Sequence, residues 1–194
     1  WLIGGWVDDG AAAETERICD AGNRTPPLTL RANALKADRA RLAAALATAV
    51  DLAEPTPYSP DGLILNGLKC SLRDLAAYRD GLFQVQDEAA QLVSRLLAPE
   101  PGETVMDACA GLGGKTGHLA ALMENRGRLV ALDVHPRKLA ALENEIRRLG
   151  ISITTTVLHD LEQAPPLCPC GSFDRILLDA PCSGEGLLAK GQLS

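Results

Sequence analysis

The sequence lacks any run of the roughly 20 consecutive apolar residues that a membrane-spanning helix requires. It also lacks a secretory signal pattern, so we expect a cytoplasmic protein whose cysteines are free thiols. Because the chain begins at Trp1 instead of Met, we interpret it as a piece of a longer protein.

Basic residues are not in excess: the chain has 19 Lys and Arg against 25 Asp and Glu, and its formal net charge is −6. This balance argues against a protein that binds nucleic acid by electrostatic attraction alone, although it is compatible with an enzyme that has a local basic groove. Paired Cys-x-x-Cys spacing is absent from the six cysteines. Cys168 and Cys170 are the only close pair in the sequence, and we therefore expect no metal site.

Changes in hydrophobic periodicity divide the chain into three predicted regions. Residues 1–22 form a helical leader, which we interpret as the remnant of an upstream region. Residues 23–82 form a small α/β domain, in which Leu28 and Leu30 alternate with polar residues as in a half-buried strand. In residues 83–194 strands alternate with helices, which implies a parallel sheet with right-handed crossovers. The first helix of this last region carries its apolar residues at Ala90, Val93, Leu96 and Leu97.

The most informative stretch runs from Val105 to Thr116 and reads Val-Met-Asp-Ala-Cys-Ala-Gly-Leu-Gly-Gly-Lys-Thr. Its apolar start predicts a buried strand, and helical apolar spacing begins at Lys115. Between them, glycines allow the backbone to bend sharply and to approach a ligand closely. A glycine turn between a strand and a helix presents backbone N–H groups to a ligand, so we predict a binding site there.

An acidic residue lies at or near the end of each predicted strand of this region, namely Asp107, Asp133, Asp160 and Asp179. Because ligands of parallel sheets bind beyond the carboxyl ends of the strands, we expect this acidic rim to be functional. Asp133 follows Gly114 by 19 residues. An acid about 20 residues past the glycine loop can hold both ribose hydroxyls of a nucleoside cofactor. The alternative is that Asp133 caps the helix that begins near Pro136.

Three kinds of cofactor are compatible with a glycine turn. A Walker A motif needs glycine five residues before Gly114, where this chain has Cys109, so a P-loop NTPase is disfavoured. A dinucleotide fingerprint would end in glycine at the position of Thr116, so it is disfavoured as well. S-adenosylmethionine carries no phosphate, and the acidic rim suits its positive charge. We therefore predict S-adenosylmethionine as the cofactor.

The residues Asp107–Thr116, together with Asp179-Ala-Pro-Cys-Ser-Gly184, resemble the Sun/Fmu-type RNA cytosine-5 methyltransferases, whose bacterial members modify ribosomal RNA. The stretch Arg24–Asn33 is similar to the segment ahead of that family's small RNA-contacting domain, and Gln86-Asp87 is similar to the start of its catalytic domain. The resemblance covers nearly the whole chain. It implies an α/β fold of the class I S-adenosylmethionine methyltransferase type, Rossmann-like, here with a partial parallel sheet preceded by the small α/β domain.

The resemblance also implies a mechanism in which a cysteine thiolate adds to carbon 6 of cytosine and carbon 5 then takes the methyl group. Cys182 matches the family's first active-site cysteine, which assists release of methylated RNA; the rival hypothesis is that Cys182 attacks directly. Asp179 is expected to hold both the cofactor and the cytosine edge. By resemblance, the cofactor-binding residues are Cys109, Ala110, Gly111, Leu112, Gly113, Gly114, Lys115, Asp133, Asp160 and Asp179.

The sequence departs from the family pattern at three places. Leu112 stands where the family usually has Pro, and Glu185 stands where it usually has Thr. The family's nucleophile lies in a later Thr-Cys-Ser motif, which these 194 residues do not contain. We therefore expect the chain to bind cofactor without turnover and to self-associate through an exposed sheet edge. The alternative, from a different class, is a non-catalytic module that binds nucleic acid or S-adenosylmethionine.

Overall fold

The computed structural model describes residues 12–22, 26–163 and 172–180 of the chain. Helix α1 spans Ala12–Gly22, within the region predicted as a helical leader. Residues 28–180 form a separate compact unit that contains two four-stranded sheets. Among the described residues, no helix has the length and apolar character needed to cross a membrane.

The first sheet has four strands, and two helices lie between them in sequence. The order is β1 (Leu28–Ala32), α2 (Arg39–Leu46), β2 (Leu52–Pro55), β3 (Gly62–Asn66), α3 (Ala76–Arg79) and β4 (Phe83–Val85). Its strands pair antiparallel in the order β2-β3-β1-β4. Asp38 starts α2, because its carboxylate accepts the Arg41 amide at 2.8 Å. The element order and the strand order together define a split β-α-β sheet.

The second sheet has four described strands, and three helices precede or separate them in sequence. The order is α4 (Glu88–Leu97), β5 (Thr104–Asp107), α5 (Gly114–Leu122), β6 (Arg128–Asp133), α6 (Pro136–Leu149), β7 (Thr154–Leu158) and β8 (Arg175–Leu177). Its described strand pairs are parallel, in the order β7-β6-β5-β8, which confirms the predicted parallel sheet. Gly150 ends α6 with a φ of 76°, a left-handed conformation that glycine adopts without strain. Because the strands are parallel, their carboxyl ends meet at one edge of the sheet.

Strand β1 is buried on both faces, so the prediction of a half-buried strand is wrong. Leu30 belongs to the apolar core that α2 covers. Thr29 and Arg31 lie on the opposite face and are also buried, with 6% and 1% of their surface exposed. The reason is that helix α4 and the start of α5 cover this face, where Gln91 bonds to the Leu30 carbonyl and Arg31 bonds to the Gly114 carbonyl.

Helix α4 exposes part of its predicted apolar set and buries polar residues, although Leu97 packs against the core of the second sheet. Leu96 is 88% exposed, whereas Gln91 is fully buried. The Gln91 amide donates to the backbone oxygens of Leu30 and Gln86, and its side-chain carbonyl accepts the Ser59 hydroxyl at 2.6 Å. Satisfying the polar groups of the first sheet therefore decides which face of α4 is inside.

The predicted boundary between residues 82 and 83 runs through the compact unit of residues 28–180. It would separate β4 from β1, with which β4 pairs through partners such as Leu30 and Val85. Phe83 is also fully buried in the core of the first sheet. Strand β4 therefore completes the first sheet, and the assignment of residues 23–82 as an RNA-contacting domain stays a prediction.

Asn33 and Lys36, which follow β1, join the first sheet to the C-terminal end of α6. The Asn33 side-chain amide donates to the Leu149 carbonyl at 2.9 Å and to the Gly81 carbonyl at 2.8 Å. The Lys36 ammonium donates to the Arg148 carbonyl at 2.8 Å. Because the last carbonyls of a helix have no partner within the helix and favour a nearby cation, these bonds stabilise the contact between the two sheets.

We predict that Asn33→Ala lowers the free energy of unfolding by about 1–3 kcal/mol, because it leaves the Leu149 and Gly81 carbonyls without their buried donor. Urea unfolding followed by circular dichroism measures this change. Lys69→Ala is the control, since it removes an exposed ion pair with Asp51 and should have no measurable effect. Equal stability of Asn33→Ala and the unchanged protein would contradict the prediction.

Candidate active site

The backbone between β5 and α5 forms a tight loop at the carboxyl edge of the parallel sheet. Gly111 and Gly113 have positive φ angles of 56° and 86°, which side chains rarely adopt. A Cβ atom on Gly113 would lie 2.2 Å from the Leu142 side chain, so space also requires glycine there. The Gly113 amide donates to the Ala110 carbonyl at 2.9 Å, and α5 begins at Gly114. This geometry directs the N-terminal end of α5 toward a ligand at the sheet edge.

Asp133, at the end of β6, lies against this glycine loop. Its Oδ2 accepts the Gly111 amide at 2.9 Å, and its Oδ1 accepts the His135 amide at 2.8 Å. Burial acts to raise the pKa of Asp133, but the hydrogen bonds from His135 and Gly111 outweigh it, and the pKa lies below its usual value. Asp133 is therefore a fixed carboxylate beside the loop, whereas the N-cap residue of α6 is His135.

Asp107 ends β5 at the base of the loop and is almost wholly buried, with 1% of its surface exposed. Its Oδ2 accepts the Thr116 hydroxyl at 2.7 Å, while its Oδ1 has no hydrogen-bond partner among the described residues. Burial raises the pKa of Asp107 to about 6, against the lowering effects of Thr116 and of the Lys115 charge. The fold thus keeps an incompletely satisfied carboxyl group at the base of the loop.

Lys115 connects the glycine loop with the segment after β8. Its ammonium group lies 2.5 Å from Oδ2 of Asp179, whose side chain is 54% exposed. The structure therefore brings Lys115 and Asp179 together with Asp107, whose pKa responds to both charges. Cys182 follows Asp179 by three residues in the sequence but lies outside the described residues, so its predicted role is not placed by the structure.

Cys109 and Leu112, both predicted to contact the cofactor, differ in their surroundings. Leu112 is 62% exposed on the loop. Cys109 is half-buried, and its pKa is raised by burial first and then by the negative charges of Asp133 and Asp107. A thiol with a raised pKa stays protonated and is a weak nucleophile. Cys109 is therefore suited to line the loop rather than to attack a substrate.

Asp160 lies apart from these contacts, in a cavity at the carboxyl ends of β6 and β7. The cavity has a volume of about 300 Å³ and is lined by Val134, Leu158, His159, Asp160 and Gln163. Val134 and Leu158 are partly exposed apolar walls, and Asp160 accepts the Glu162 amide at 2.9 Å. Since Val134 adjoins Asp133, the cavity continues the candidate site along the sheet edge.

The residues of the site that were not predicted from the sequence include Thr116 below the loop and four that line the cavity, namely Val134, Leu158, His159 and Gln163. Thr116 appears in the sequence analysis as the end of the family motif and as a mismatch to the dinucleotide fingerprint, and neither indicates that its hydroxyl donates to Asp107. Val134 could have been predicted as a site residue, because it is apolar and directly follows Asp133 at the end of β6. No pattern of spacing indicates that Leu158, at the end of β7, faces the same cavity.

Comparison with known proteins identifies relatives over nearly the whole chain. A family described as 16S rRNA methyltransferase RsmB/F matches residues 94–193, and an RsmF/B-like ferredoxin-like domain matches residues 1–71. A probable ribosomal RNA small subunit methyltransferase B from Bacillus subtilis is 37% identical over 98% of this chain and 42% of its own length. A human 28S rRNA (cytosine(4447)-C(5))-methyltransferase is 34% identical over 98% of this chain and 23% of its own length. The chain thus spans less than half the length of these relatives.

The solved structure of PH0851 superimposes with a TM-score of 0.89 at 34% identity, covering 98% of this chain and 43% of that one. The parallel sheet and the glycine loop at its edge therefore define the class I methyltransferase fold, which is Rossmann-like. The chain belongs to the 16S rRNA methyltransferase RsmB/F family, which confirms the resemblance to the Sun/Fmu-type enzymes.

We predict that Asp107→Asn raises the free energy of unfolding at neutral pH by up to roughly 3 kcal/mol, because burial raises the pKa of Asp107 from 3.8 to about 6. Asparagine still accepts the Thr116 hydroxyl but carries no buried charge. Between these two pKa values the folded state binds more protons than the unfolded state, so the aspartate destabilises the fold increasingly as the pH rises. The advantage of Asp107→Asn should be absent below roughly pH 4 and complete above roughly pH 6.

Urea unfolding of both proteins across this pH range measures the effect. The control is Asp51→Asn, which makes the same chemical change at a largely exposed carboxylate and should produce no such pH-dependent gain. A stability difference between Asp107→Asn and the unchanged protein that stays constant with pH would show that the charge of Asp107 is not its cause.

Proposed function

We propose that the protein to which this chain belongs transfers a methyl group from S-adenosylmethionine to carbon 5 of a cytosine in ribosomal RNA. The observation that carries this proposal is the contact of the glycine loop with Asp133 at the carboxyl edge of the parallel sheet, where such sheets bind their ligands. The human relative, named as a cytosine-C(5)-methyltransferase of 28S rRNA, supports the substrate class.

The residues of the loop suit S-adenosylmethionine better than a nucleotide phosphate. Cys109 occupies the position where a Walker A motif needs glycine. Lys115, which would have to meet the phosphate, is paired with Asp179. The carboxylates of Asp107 and Asp133 would repel a phosphate, but they attract the sulfonium and ammonium charges of S-adenosylmethionine. The P-loop NTPase alternative is therefore not favoured.

Each part of S-adenosylmethionine has residues suited to hold it. We assign the ribose hydroxyls to Asp133, whose carboxylate is already fixed beside the loop. The adenine base suits the cavity walled by Val134 and Leu158, where Asp160 offers a polar group. The methionine end is assigned to the loop from Cys109 to Lys115, whose backbone amides and acidic surroundings suit a carboxylate and an ammonium group.

S-adenosylmethionine, when bound, supplies an electrophilic methyl group. Carbon 5 of cytosine is a poor nucleophile, so a cysteine thiolate first adds to carbon 6 of the base. Carbon 5 would then take the methyl group as the bond from that group to sulfur breaks, and a base would remove the carbon 5 proton as the thiolate leaves carbon 6. The target base must also leave its stack to reach a site of this kind. We assign the cytosine edge to Asp179, which lies beside Lys115 at the sheet edge. For Cys182 we propose a role in the release of methylated RNA, with direct attack on cytosine as the rival.

Ribosomal RNA is the partner that this proposal requires, and we infer a cytoplasmic location because the bacterial relatives are named as ribosomal RNA methyltransferases. The relatives that align over nearly the whole chain are named as methyltransferases. A non-catalytic binding module is for that reason not favoured. Self-association through a sheet edge stays a prediction.

In the full-length protein, we predict that Cys182→Ala slows repeated methylation of unmodified ribosomal RNA without preventing the first methyl transfer. The reason is that a cysteine that assists release acts after the methyl group has moved. Label transferred from S-adenosylmethionine under single-turnover and multiple-turnover conditions separates the two steps. Cys70→Ala, at an exposed cysteine, is the control and should leave both rates unchanged. Loss of the first transfer in Cys182→Ala would make Cys182 the nucleophile.

We further predict that Asp133→Ala weakens binding of S-adenosylhomocysteine at least about tenfold, because two charge-assisted hydrogen bonds to the ribose are lost, each worth about 1.5–3 kcal/mol. Calorimetric titration measures the affinity, and magnesium–ATP titrated in parallel should not bind. Asp51→Ala is the control at an exposed carboxylate away from the loop. Unchanged affinity in a folded Asp133→Ala protein would refute the ribose assignment, and tight ATP binding would refute the choice of cofactor.

A further inference from the structure

We propose that Arg31, a residue of the first sheet, positions the glycine loop of the second sheet for ligand binding. The identity of the ligand, S-adenosylmethionine, rests on the proposed function, whereas the contact between Arg31 and the loop does not. Arg31 is a positioning residue, because it bonds to the backbone of the loop and acts on the ligand through that backbone.

The Arg31 guanidinium connects the first sheet to the start of α5, because it donates hydrogen bonds to both. Its Nη1 donates to the Gly114 carbonyl at 2.7 Å and to the side-chain carbonyl of Gln86, and its Nη2 donates to the side-chain carbonyl of Gln84 at 2.9 Å. Gln84 in turn donates from its amide to the Gly113 carbonyl at 3.4 Å. Two consecutive carbonyls at the start of α5 are thus held by side chains of β1 and β4.

This arrangement keeps a cation where burial is unfavourable. Arg31 is 1% exposed, and burial lowers its pKa to about 9, partly offset by the Asp61 carboxylate. The oxygens that accept its hydrogen bonds are neutral carbonyls, and its Nε has no partner within the described part of the chain. An apolar side chain of similar volume would avoid the desolvation cost. The buried guanidinium is therefore better explained by the geometry it imposes than by stability.

A hydrogen bond to a carbonyl also orients the amide of the same peptide group. Peptide groups are planar and trans, so the Lys115 N–H points opposite to the Gly114 carbonyl, and the Gly114 N–H points opposite to the Gly113 carbonyl. The Gly117 amide also donates to the Gly113 carbonyl at 2.9 Å, and the side-chain bonds add a second restraint that aims two N–H groups out of the N-terminal end of α5, the proposed ligand position. The cation also polarises the Gly114–Lys115 peptide and strengthens its N–H as a donor.

Gly117, one turn further along α5, makes room for this contact. A Cβ atom there would lie 2.9 Å from Oε1 of Gln84, 3.1 Å from Cδ1 of Leu149 and 3.2 Å from Nη2 of Arg31. Glycine in a helix interior lowers the stability of the helix. We attribute its presence at this buried position to the space that the neighbouring side chains need. Gly117→Ala therefore displaces the Arg31 side chain without removing it, and it tests the proposal independently of Arg31→Met.

Both variants are tested with and without ligand. In the unliganded protein, hydrogen exchange at the amides of residues 111–117 should become about tenfold faster in Arg31→Met and in Gly117→Ala, because the loop loses its restraint. S-adenosylhomocysteine should bind about tenfold more weakly to both by calorimetry. Because the added Cβ atom crowds buried side chains, Gly117→Ala should lower Tm, but no further than Asn33→Ala, which leaves the loop contact and the affinity intact. A merely structural role would not separate affinity from stability in this way.

Asn33→Ala is the matched control, because Asn33 joins the end of the same strand to α6 and not to the loop. It should lower stability while leaving both the exchange at residues 111–117 and the affinity unchanged. The proposal would be overturned if hydrogen exchange in the loop were as slow in the two variants as in the unchanged protein. If Arg31→Met does not fold, the result for Gly117→Ala alone decides whether the proposal holds. If the unchanged protein fails to bind S-adenosylhomocysteine, the proposed function is wrong, and the exchange data still decide the role of Arg31.

Discussion

The burial of β1 on both faces is the constraint on which the rest of the structure depends. One face packs on the apolar core covered by α2, and the other carries Arg31 into contact with the second sheet. Buried polar groups need partners, and these are supplied by Gln84, by Gln86 and by the backbone of the glycine loop. The same requirement turns Gln91 of α4 inward, and it explains why the antiparallel and the parallel sheet belong to one compact unit.

The candidate site contains two aspartates whose pKa values are shifted in opposite directions. Asp133 has both carboxylate oxygens held by N–H groups, and its pKa is lowered although burial opposes this. Asp107 has one oxygen held by Thr116, and burial raises its pKa to about 6. Carboxyl groups whose pKa values are pushed apart within one cleft are typical of functional sites. The glycine loop between them is where both effects act on a ligand.

Local sequence signals predicted the elements whose ends are defined by local chemistry. The glycine turn after β5 and the start of α6 at Pro136 are examples, as is the placement of Asp133 beside the loop. Local sequence signals did not predict features that depend on contacts between residues far apart in the sequence. Arg31 alternates with apolar residues as in a half-exposed strand, and a contact 83 positions away buries it. Spacing indicates the face of an element on which a side chain lies but not the distant group that it meets, so neither the Thr116 bond nor the cavity walls could be predicted. Strand β2, which ends in Pro55, carries no clear strand signal.

The bonds from β1 and Asn33 reach far along the chain, across 83 positions to Gly114 and 116 positions to Leu149. During synthesis the first sheet therefore emerges with a guanidinium and an amide that each still lack one acceptor, and it cannot complete its interior until α5 and α6 have formed. In evolutionary terms, this sheet is not an exchangeable module. Moving it onto another Rossmann-like methyltransferase would bury donors that meet no acceptor, unless the glycine loop and the end of α6 moved with it.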